Sequence, residues 1–170
     1  MMIRILFLLF VLAGNLKAIS QQGKYAGSLK KLIGTSFTDS RQLPALKNWQ
    51  PREGTVASPL SDPELFSVEI FQKGTTYMIF FSVKEDTASD IQVIQDVIEL
   101  KAVQRGWEVR SGVCREYKQA NAFVVALVKP ANAEYSTNVK KAWRFNRDKR
   151  RFEAIAVKTV DCLNEGFEQQ

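Results

Sequence analysis

Apolar and polar positions alternate along the chain after residue 64, and this pattern predicts β-strands. Residues 65–72 place Phe66, Val68 and Ile70 on one face and mostly polar side chains on the other. Residues 76–83 are apolar on both faces, as expected of a central strand that is covered on both sides. The short segment between them predicts a turn, so the two strands are expected to form a hairpin.

Residues 90–101 carry two competing patterns. Ile94 and Val97 have helical spacing, and Ser89 with Gln92 resembles a helix capping box. However, five of the nine residues after Ser89 are isoleucine or valine, which favours a strand. We therefore predict a strand. If the segment is helical instead, the fold is α+β, with a helix packed on a sheet.

The last third of the chain contains further strand candidates. Residues 107–113 alternate, whereas residues 122–128 form an apolar run that is typical of a central strand. The polar segment 117–121 between them predicts a turn. Residues 139–157 read as a final hairpin, because two alternating stretches flank a polar turn.

Together these segments predict a mainly β protein, an antiparallel meander of six or seven strands that forms a sandwich or a small barrel. Leucine spacing predicts a short N-terminal helix over residues 28–34, and three prolines predict a loop over residues 51–63. The expected organisation is a signal peptide (1–20), a leader with the short helix and the Pro-rich loop (21–63), and a β-rich domain closed by a disulfide (64–170).

The first 20 residues predict a secretory signal peptide. Arg4 supplies a positive charge, and an apolar core of about ten residues follows, whereas a membrane-spanning helix needs roughly 20. Cleavage is expected after Ala18 or after Ser20. No later segment reaches spanning length without charges, so we expect no membrane span after cleavage. The expected location is secreted or periplasmic.

Export determines how the two cysteines, Cys114 and Cys162, are interpreted. In an oxidising compartment they are expected to form one disulfide, worth roughly 4 kcal/mol in the chain-entropy model. Strict alternation would place Cys114 on the polar face, but a bulge at Gly112 would turn it inward. With no histidine in the chain, a zinc site lacks ligands, so we predict no metal and no cofactor.

Positive charge concentrates in the final hairpin. The chain has a net charge of +6, which falls to +4 when the signal peptide removes Arg4 and Lys17. The cations of the hairpin interleave with aromatic residues, so they could bind an anionic glycan or an acidic protein. Alternation alone also explains them as an ordinary solvated surface. Export argues against nucleic acid as a partner. The candidate residues for an anionic partner are Lys140, Lys141, Arg144, Arg147, Lys149 and Arg150.

The absence of histidine excludes Ser-His-Asp and Cys-His catalysis. No glycine-rich phosphate-binding motif is present, so nucleotide binding has no support. Catalysis would have to rest on other groups such as paired carboxylates, as in glycoside hydrolysis. Glu85, Asp86 and Asp90 lie near one another in the sequence and could approach a calcium ion, although their loop lacks the usual calcium-binding pattern. The candidate carboxylates, which are also expected as solvated charges, are Glu85, Asp86, Asp90, Asp96 and Glu99.

Residues 111–117, Ser-Gly-Val-Cys-Arg-Glu-Tyr, resemble the Ser-Gly…Tyr loop of small periplasmic inhibitors of chicken-type lysozyme, which are small β-barrels. The similarity covers seven residues. Those inhibitors bind a cationic enzyme, whereas this chain is itself basic, so we do not assign it to that family.

The sequence thus favours an exported, non-catalytic domain that binds an unidentified protein or anionic glycan. One alternative is a carboxylate-dependent envelope hydrolase that acts on glycan or peptide. Another is an inhibitor of a secreted hydrolase, which would require a rigid protruding loop near residues 111–117.

Overall fold

A computed structural model describes residues 29–58, 62–84, 86, 88–165 and 167. Over these residues the protein is mainly β, with three antiparallel sheets, and its helical turns are all of the 3-10 type. The 3-10 helices are Leu29–Leu32, Ser40–Gln42, Pro44–Leu46 and Val157–Thr159. The strands are β1 (Ser36–Phe37), β2 (Gln50–Val56), β3 (Leu65–Lys73), β4 (Thr76–Lys84), β5 (Gln92–Leu100), β6 (Glu108–Ser111), β7 (Cys114–Glu116), β8 (Gln119–Ala120), β9 (Val124–Val128), β10 (Tyr135–Ser136), β11 (Val139–Asn146), β12 (Arg151–Ala154) and β13 (Val160–Leu163).

The largest sheet has five strands in the order β1-β5-β4-β3-β2 and curls into a half-barrel. The predicted hairpin of β3 and β4 is confirmed, and Gly74 provides a positive φ in its turn. Residues 77–83 of β4 are all buried, as expected of a central strand. The strand predicted for residues 90–101 is also confirmed as β5, and the helical alternative is wrong. Its β-branched side chains pack on both faces of the sheet.

The region before residue 64 differs from its prediction in two places. The loop predicted over residues 51–63 is wrong in its first part, because β2 pairs along β3. Pro51 is tolerated because β2 is an edge strand, and its register shifts between Pro51 and Glu53. The short N-terminal helix is a single 3-10 turn, Leu29–Leu32, whose Leu32 side chain is buried.

The other two sheets have the orders β12-β11-β9-β6 and β10-β13-β7-β8. The final hairpin is confirmed as β11 and β12, and the predicted central strand is confirmed as β9. Val125 and Leu127 of β9 pack toward the five-stranded sheet, whereas Val124, Ala126 and Val128 pack in a separate cluster with both cysteines. The β9 sheet is therefore buried on both faces, with the β13 sheet covering its second face.

The predicted disulfide between Cys114 and Cys162 is confirmed, and it joins directly opposite residues of β7 and β13. Gly112, with φ +72°, marks the point where the chain leaves β6 for β7 in the next sheet. Cys114 is buried, as expected, but in the cluster between these two sheets rather than in the main core.

The predicted signal peptide, residues 1–20, lies outside the described residues. Within the described part of the chain, no helix has the length and apolar character needed to cross a membrane.

Candidate functional site

The hairpin formed by β7 and β8 ends in a two-residue turn, Tyr117-Lys118, which we call the tyrosine turn. Glu116 pairs with Gln119 across it. Both turn residues have positive φ, +51° for Tyr117 and +65° for Lys118. This is the backbone of a type I′ turn, for which Asn-Gly is the favoured sequence. A tyrosine and a lysine here occupy a conformation that costs most side chains free energy.

Tyr117 projects its ring into solvent. The residue is 72% exposed, more than any other large hydrophobic residue in the described part of the chain. Val157, which is 38% exposed, belongs to the 3-10 turn that contacts the same hairpin. The tyrosine turn therefore presents an aromatic ring that the fold itself does not use as core.

Several bonds hold the tyrosine turn in place from below. The disulfide lies three residues before Tyr117 and ties β7 to β13. The Tyr117 backbone N–H donates to the Thr159 carbonyl at 2.7 Å. Immediately after the return strand β8, the Asn121 backbone N–H donates to the Cys114 carbonyl at 3.0 Å, and the Asn121 side-chain amide donates to Glu116 Oε2 at 3.2 Å. The hairpin is thus fixed on both sides of the turn.

A buried carboxylate, Asp161 on β13, anchors the cations beside the turn. Arg115 donates to it twice, at 2.7 and 3.1 Å, and Lys118 also donates to it. Burial raises the pKa of Asp161, but the hydrogen bonds from Arg115 and Lys118 outweigh burial and lower it overall. The Arg115 guanidinium also stacks on the Tyr135 ring, 3.2 Å from its centroid. This network ties the base of the hairpin to β13 and to Tyr135.

Arg144 extends the network from the neighbouring sheet. Its guanidinium donates to both Glu116 carboxylate oxygens, at 3.1 and 3.2 Å. Arg144 is one of the residues that we predict to bind an anionic partner. It lies on β11, and its contact with Glu116 places it beside the tyrosine turn rather than at the tip of the final hairpin.

Carboxylates of the 62–64 segment form ion pairs with arginines at the tip of the final hairpin, β11–β12. Arg147 forms an ion pair with Asp62 at 3.1 Å and lies over the Phe66 ring, 4.7 Å from its centroid. Arg150 forms an ion pair with Glu64 at 2.5 Å. These two arginines fasten the turn of the final hairpin to the start of β3.

The three candidate lysines of the final hairpin have different surroundings. Lys149 forms an ion pair with Glu153 at 2.9 Å, Lys140 lies 5.3 Å from the Trp107 ring, and Lys141 is exposed. Hydrogen bonds from Lys149 and Asn146 lower the pKa of Glu153 to about 2. Binding of an anionic partner by the final hairpin stays a prediction.

The candidate carboxylates do not share one surface. Asp96 is buried and accepts the Phe152 backbone N–H at 2.7 Å, which joins the five-stranded sheet to the sheet of β11 and β12. Glu99 lies on the opposite face of β5, because Asp96 pairs with Phe81 of the main core and Glu99 with Met78 of the second cluster. Asp90 forms an ion pair with Lys84, Asp86 caps the following turn, and Glu85 lies outside the described residues.

Two other carboxylates, which the sequence did not single out, lie beside an open cleft of about 580 Å³. Burial raises the pKa of Glu53 and of Glu69, although the hydroxyls of Ser111 and Ser40 donate to them. Glu53 pairs with Ile70, a main-core residue, and Glu69 precedes Ile70, so the two carboxylates point to opposite faces of the sheet. They therefore do not converge as glycosidase carboxylates do.

The described residues contain no group of three or more acidic or cysteine side chains arranged to hold a metal ion. Comparison of the chain with protein-family models, with curated proteins and with solved structures found no match. Within the described residues, the tyrosine turn combines positive φ at two successive non-glycine residues with the most exposed large hydrophobic side chain.

The sequence predicted a turn at residues 117–121 but not its importance. A polar segment between two strands is compatible with many turn types, and only the pairing of Glu116 with Gln119 restricts this one to two residues with positive φ. The missing glycine becomes a signal only once the register is known, since a two-residue hairpin turn without glycine or asparagine is unusual.

Proposed function

We propose that this protein is an exported, non-catalytic interaction domain that binds a protein partner through the tyrosine turn. The observation that carries the proposal is the combination of Tyr117's exposure with its positive φ on a hairpin that is braced from below. Strained backbone at an exposed residue persists where the surrounding structure imposes it, and such positions concentrate at binding sites.

Physical reasons favour a tyrosine for this purpose. A tyrosine ring supplies a large contact area with few rotatable bonds, so little side-chain entropy is lost when it enters a pocket. Interface residues that dominate binding energy are enriched in tyrosine, tryptophan and arginine. Because the hairpin is already rigid, its backbone needs little ordering on association.

The disulfide is consistent with an oxidising compartment. Together with the predicted signal peptide, it supports the more specific proposal of a secreted or periplasmic location.

The test is capture of a partner from the exported-protein fraction of the source organism. The wild-type protein, Tyr117→Asn and Ile91→Asn are immobilised at equal density, and captured proteins are quantified by mass spectrometry. Asparagine tolerates positive φ, so Tyr117→Asn removes the ring without adding strain. Ile91 is the matched control, because it is also a large apolar residue, 52% exposed, and it lies immediately before β5, away from the β7–β8 hairpin.

We expect one or a few proteins to bind wild type and Ile91→Asn alike and to bind Tyr117→Asn roughly 30-fold less, the loss typical of a dominant interface residue. Equal capture by all three proteins, or equal loss in both variants, would show that the tyrosine turn is not the binding surface.

The rigidity of the hairpin also favours a second candidate, an inhibitor of a secreted hydrolase, since protease inhibitors bind through preformed surfaces. In that case the partner captured through Tyr117 is a hydrolase, and its activity falls when the wild-type protein is added but not when Tyr117→Asn is added. A captured partner without hydrolytic activity, or a hydrolase that stays active when bound, would exclude inhibition.

A further inference from the structure

We infer, on the premise that the tyrosine turn is the binding surface, that the partner is a protein whose complementary surface is acidic and surrounds a pocket for the Tyr117 ring. The inference depends on how charge is layered around the turn. The cations reach solvent, whereas the carboxylates that anchor them are buried beneath.

The exposed fractions of the side chains show this layering. Lys118 and Arg144 are 70% and 45% exposed, whereas their partners Asp161 and Glu116 are 3% and 10% exposed. A partner that approaches Tyr117 therefore meets the ammonium and guanidinium groups before it meets either carboxylate.

The adjoining 3-10 turn Val157–Thr159 adds to the same surface. Its Thr159 carbonyl accepts the Tyr117 N–H, and Lys158, one residue earlier, is exposed. Lys118 and Lys158 thus lie on two segments that are hydrogen-bonded together at the turn. Glu134 contributes a negative charge near Arg115, on the side where Arg115 stacks on Tyr135. The positive surface is therefore carried by Lys118, Arg144 and Lys158.

The shape of this surface favours a protein over an anionic polymer. A polymer is bound along an extended track of cations, each of which contacts a successive charged unit. Here the cations lie on separate short segments that are bonded to the tyrosine turn or to its neighbour Glu116, an arrangement that matches a pocket with a charged rim. The arginines that could have extended a track, Arg147 and Arg150, pair with Asp62 and Glu64. These carboxylates are themselves 24% and 32% exposed, so they offset the positive charge at the surface, unlike the buried partners of Lys118 and Arg144.

Charges at the rim of an interface mainly accelerate association and make it sensitive to salt. Exposed charges are screened over about 10 Å at 0.1 M ionic strength. If the partner's rim is acidic, capture should weaken as salt rises and when the lysines are neutralised or reversed. If the partner's rim is neutral, capture should depend on Tyr117 alone.

The experiment repeats the capture from the exported-protein fraction at about 50 and about 300 mM NaCl. These two concentrations lie on either side of 0.1 M, where exposed charges are screened over about 10 Å. The test variant is Lys118→Gln with Lys158→Glu, and the control is Lys47→Glu, an exposed lysine at the end of the 3-10 helix Pro44–Leu46. Circular dichroism and Tm verify that each variant is folded. The wild-type protein and the double variant are also applied to a sulfated polysaccharide resin.

We expect capture by wild type to fall about 10-fold between the lower and the higher salt concentration. At the lower concentration, the double variant should capture about 10-fold less than wild type, whereas Lys47→Glu should capture as much as wild type. Capture that depends on Tyr117 but on neither salt nor the two lysines would overturn the acidic partner and leave the proposed function standing. Retention on the resin that requires the two lysines, without any Tyr117-dependent protein, would overturn it in favour of an anionic polymer. Capture indifferent to Tyr117 would instead refute the proposed function itself.

Discussion

Replacing the tyrosine turn by the sequence that its backbone prefers should stabilise the protein while it abolishes binding. The change is the double substitution Tyr117→Asn with Lys118→Gly, which puts Asn-Gly into the two-residue turn. If Tyr117 and Lys118 were selected for folding, this replacement would be destabilising. If they are retained for binding, it should relieve strain.

The magnitude follows from the structure. Each ordinary side chain in the left-handed region costs about 1 to 2 kcal/mol, so relief at two positions contributes roughly 2 to 4 kcal/mol. Glycine at position 118 reduces this gain in stability by about 0.5 to 1 kcal/mol, because it increases the conformational entropy of the unfolded chain. Loss of the buried quarter of the tyrosine costs roughly 1 kcal/mol more. The ion pair of Lys118 with Asp161 adds little, because the lysine is mostly exposed. We therefore expect the free energy of unfolding of the Asn-Gly variant to exceed that of wild type by about 1 kcal/mol.

The assay is urea unfolding followed by tryptophan fluorescence, together with Tm, which should rise by about 3 °C for a domain of this size. Ala102→Gly is the matched control for strain, because Ala102 is exposed and has φ +52°. It should be modestly stabilising and leave capture of the partner unchanged. A loss of 1 kcal/mol or more in the Asn-Gly variant would mean that the turn is structural, and the reasoning from strain to function would be refuted.

Further predictions concern the framework that holds the turn. Replacing both cysteines by alanine should lower the free energy of unfolding by up to about 4 kcal/mol, measured in urea, because the bridge closes a loop with a sequence separation of 48; an unchanged midpoint would contradict this. Gly112→Ala should destabilise by more than Gly106→Ala in thermal unfolding. Both glycines have positive φ, but only at Gly112 would the new Cβ lie 2.4 Å from the Thr55 side chain; equal losses would contradict the close packing. Asp161→Asn should cost about 1 to 3 kcal/mol at neutral pH. Since the folded-state pKa of Asp161 is lowered, the carboxylate stabilises the fold above the ordinary value of 3.8 and loses that effect as pH falls below it. The difference from wild type should therefore narrow in acid, and a constant difference would contradict the ion-pair network.

Much of the fold could be predicted from the sequence, because local patterns reflect long-range packing where strands are buried. The strong alternation of β3 and the continuous apolar run of β4 predicted their pairing, and the isoleucines and valines of β5 outweighed its helical spacing. The chain has two cysteines, so the predicted oxidising compartment left a single possible pairing. By contrast, β2 was missed because Pro51 signals a loop, and nothing in the local sequence reveals that it lies on a sheet edge where a proline is tolerated.

The candidate site was less predictable. The basic residues of the final hairpin form one cluster in sequence, but the structure distributes them: Arg144 joins Glu116 of another sheet, whereas Arg147 and Arg150 join the 62–64 segment. Such partners are distant in sequence, so no local pattern identifies them. The strain at Tyr117 likewise arises from strand register, which is a property of the pairing and not of the turn's own residues.

The most direct test of the tyrosine turn as a binding surface is photo-crosslinking from position 117 in the compartment to which we propose the protein is exported. A photoreactive phenylalanine analogue replaces Tyr117 in one protein and Ile91 in another, and adducts are identified by mass spectrometry. We predict a defined protein adduct from position 117 and none from position 91. An absence of adducts from position 117, or the same adducts from both positions, would contradict the proposed role of the turn.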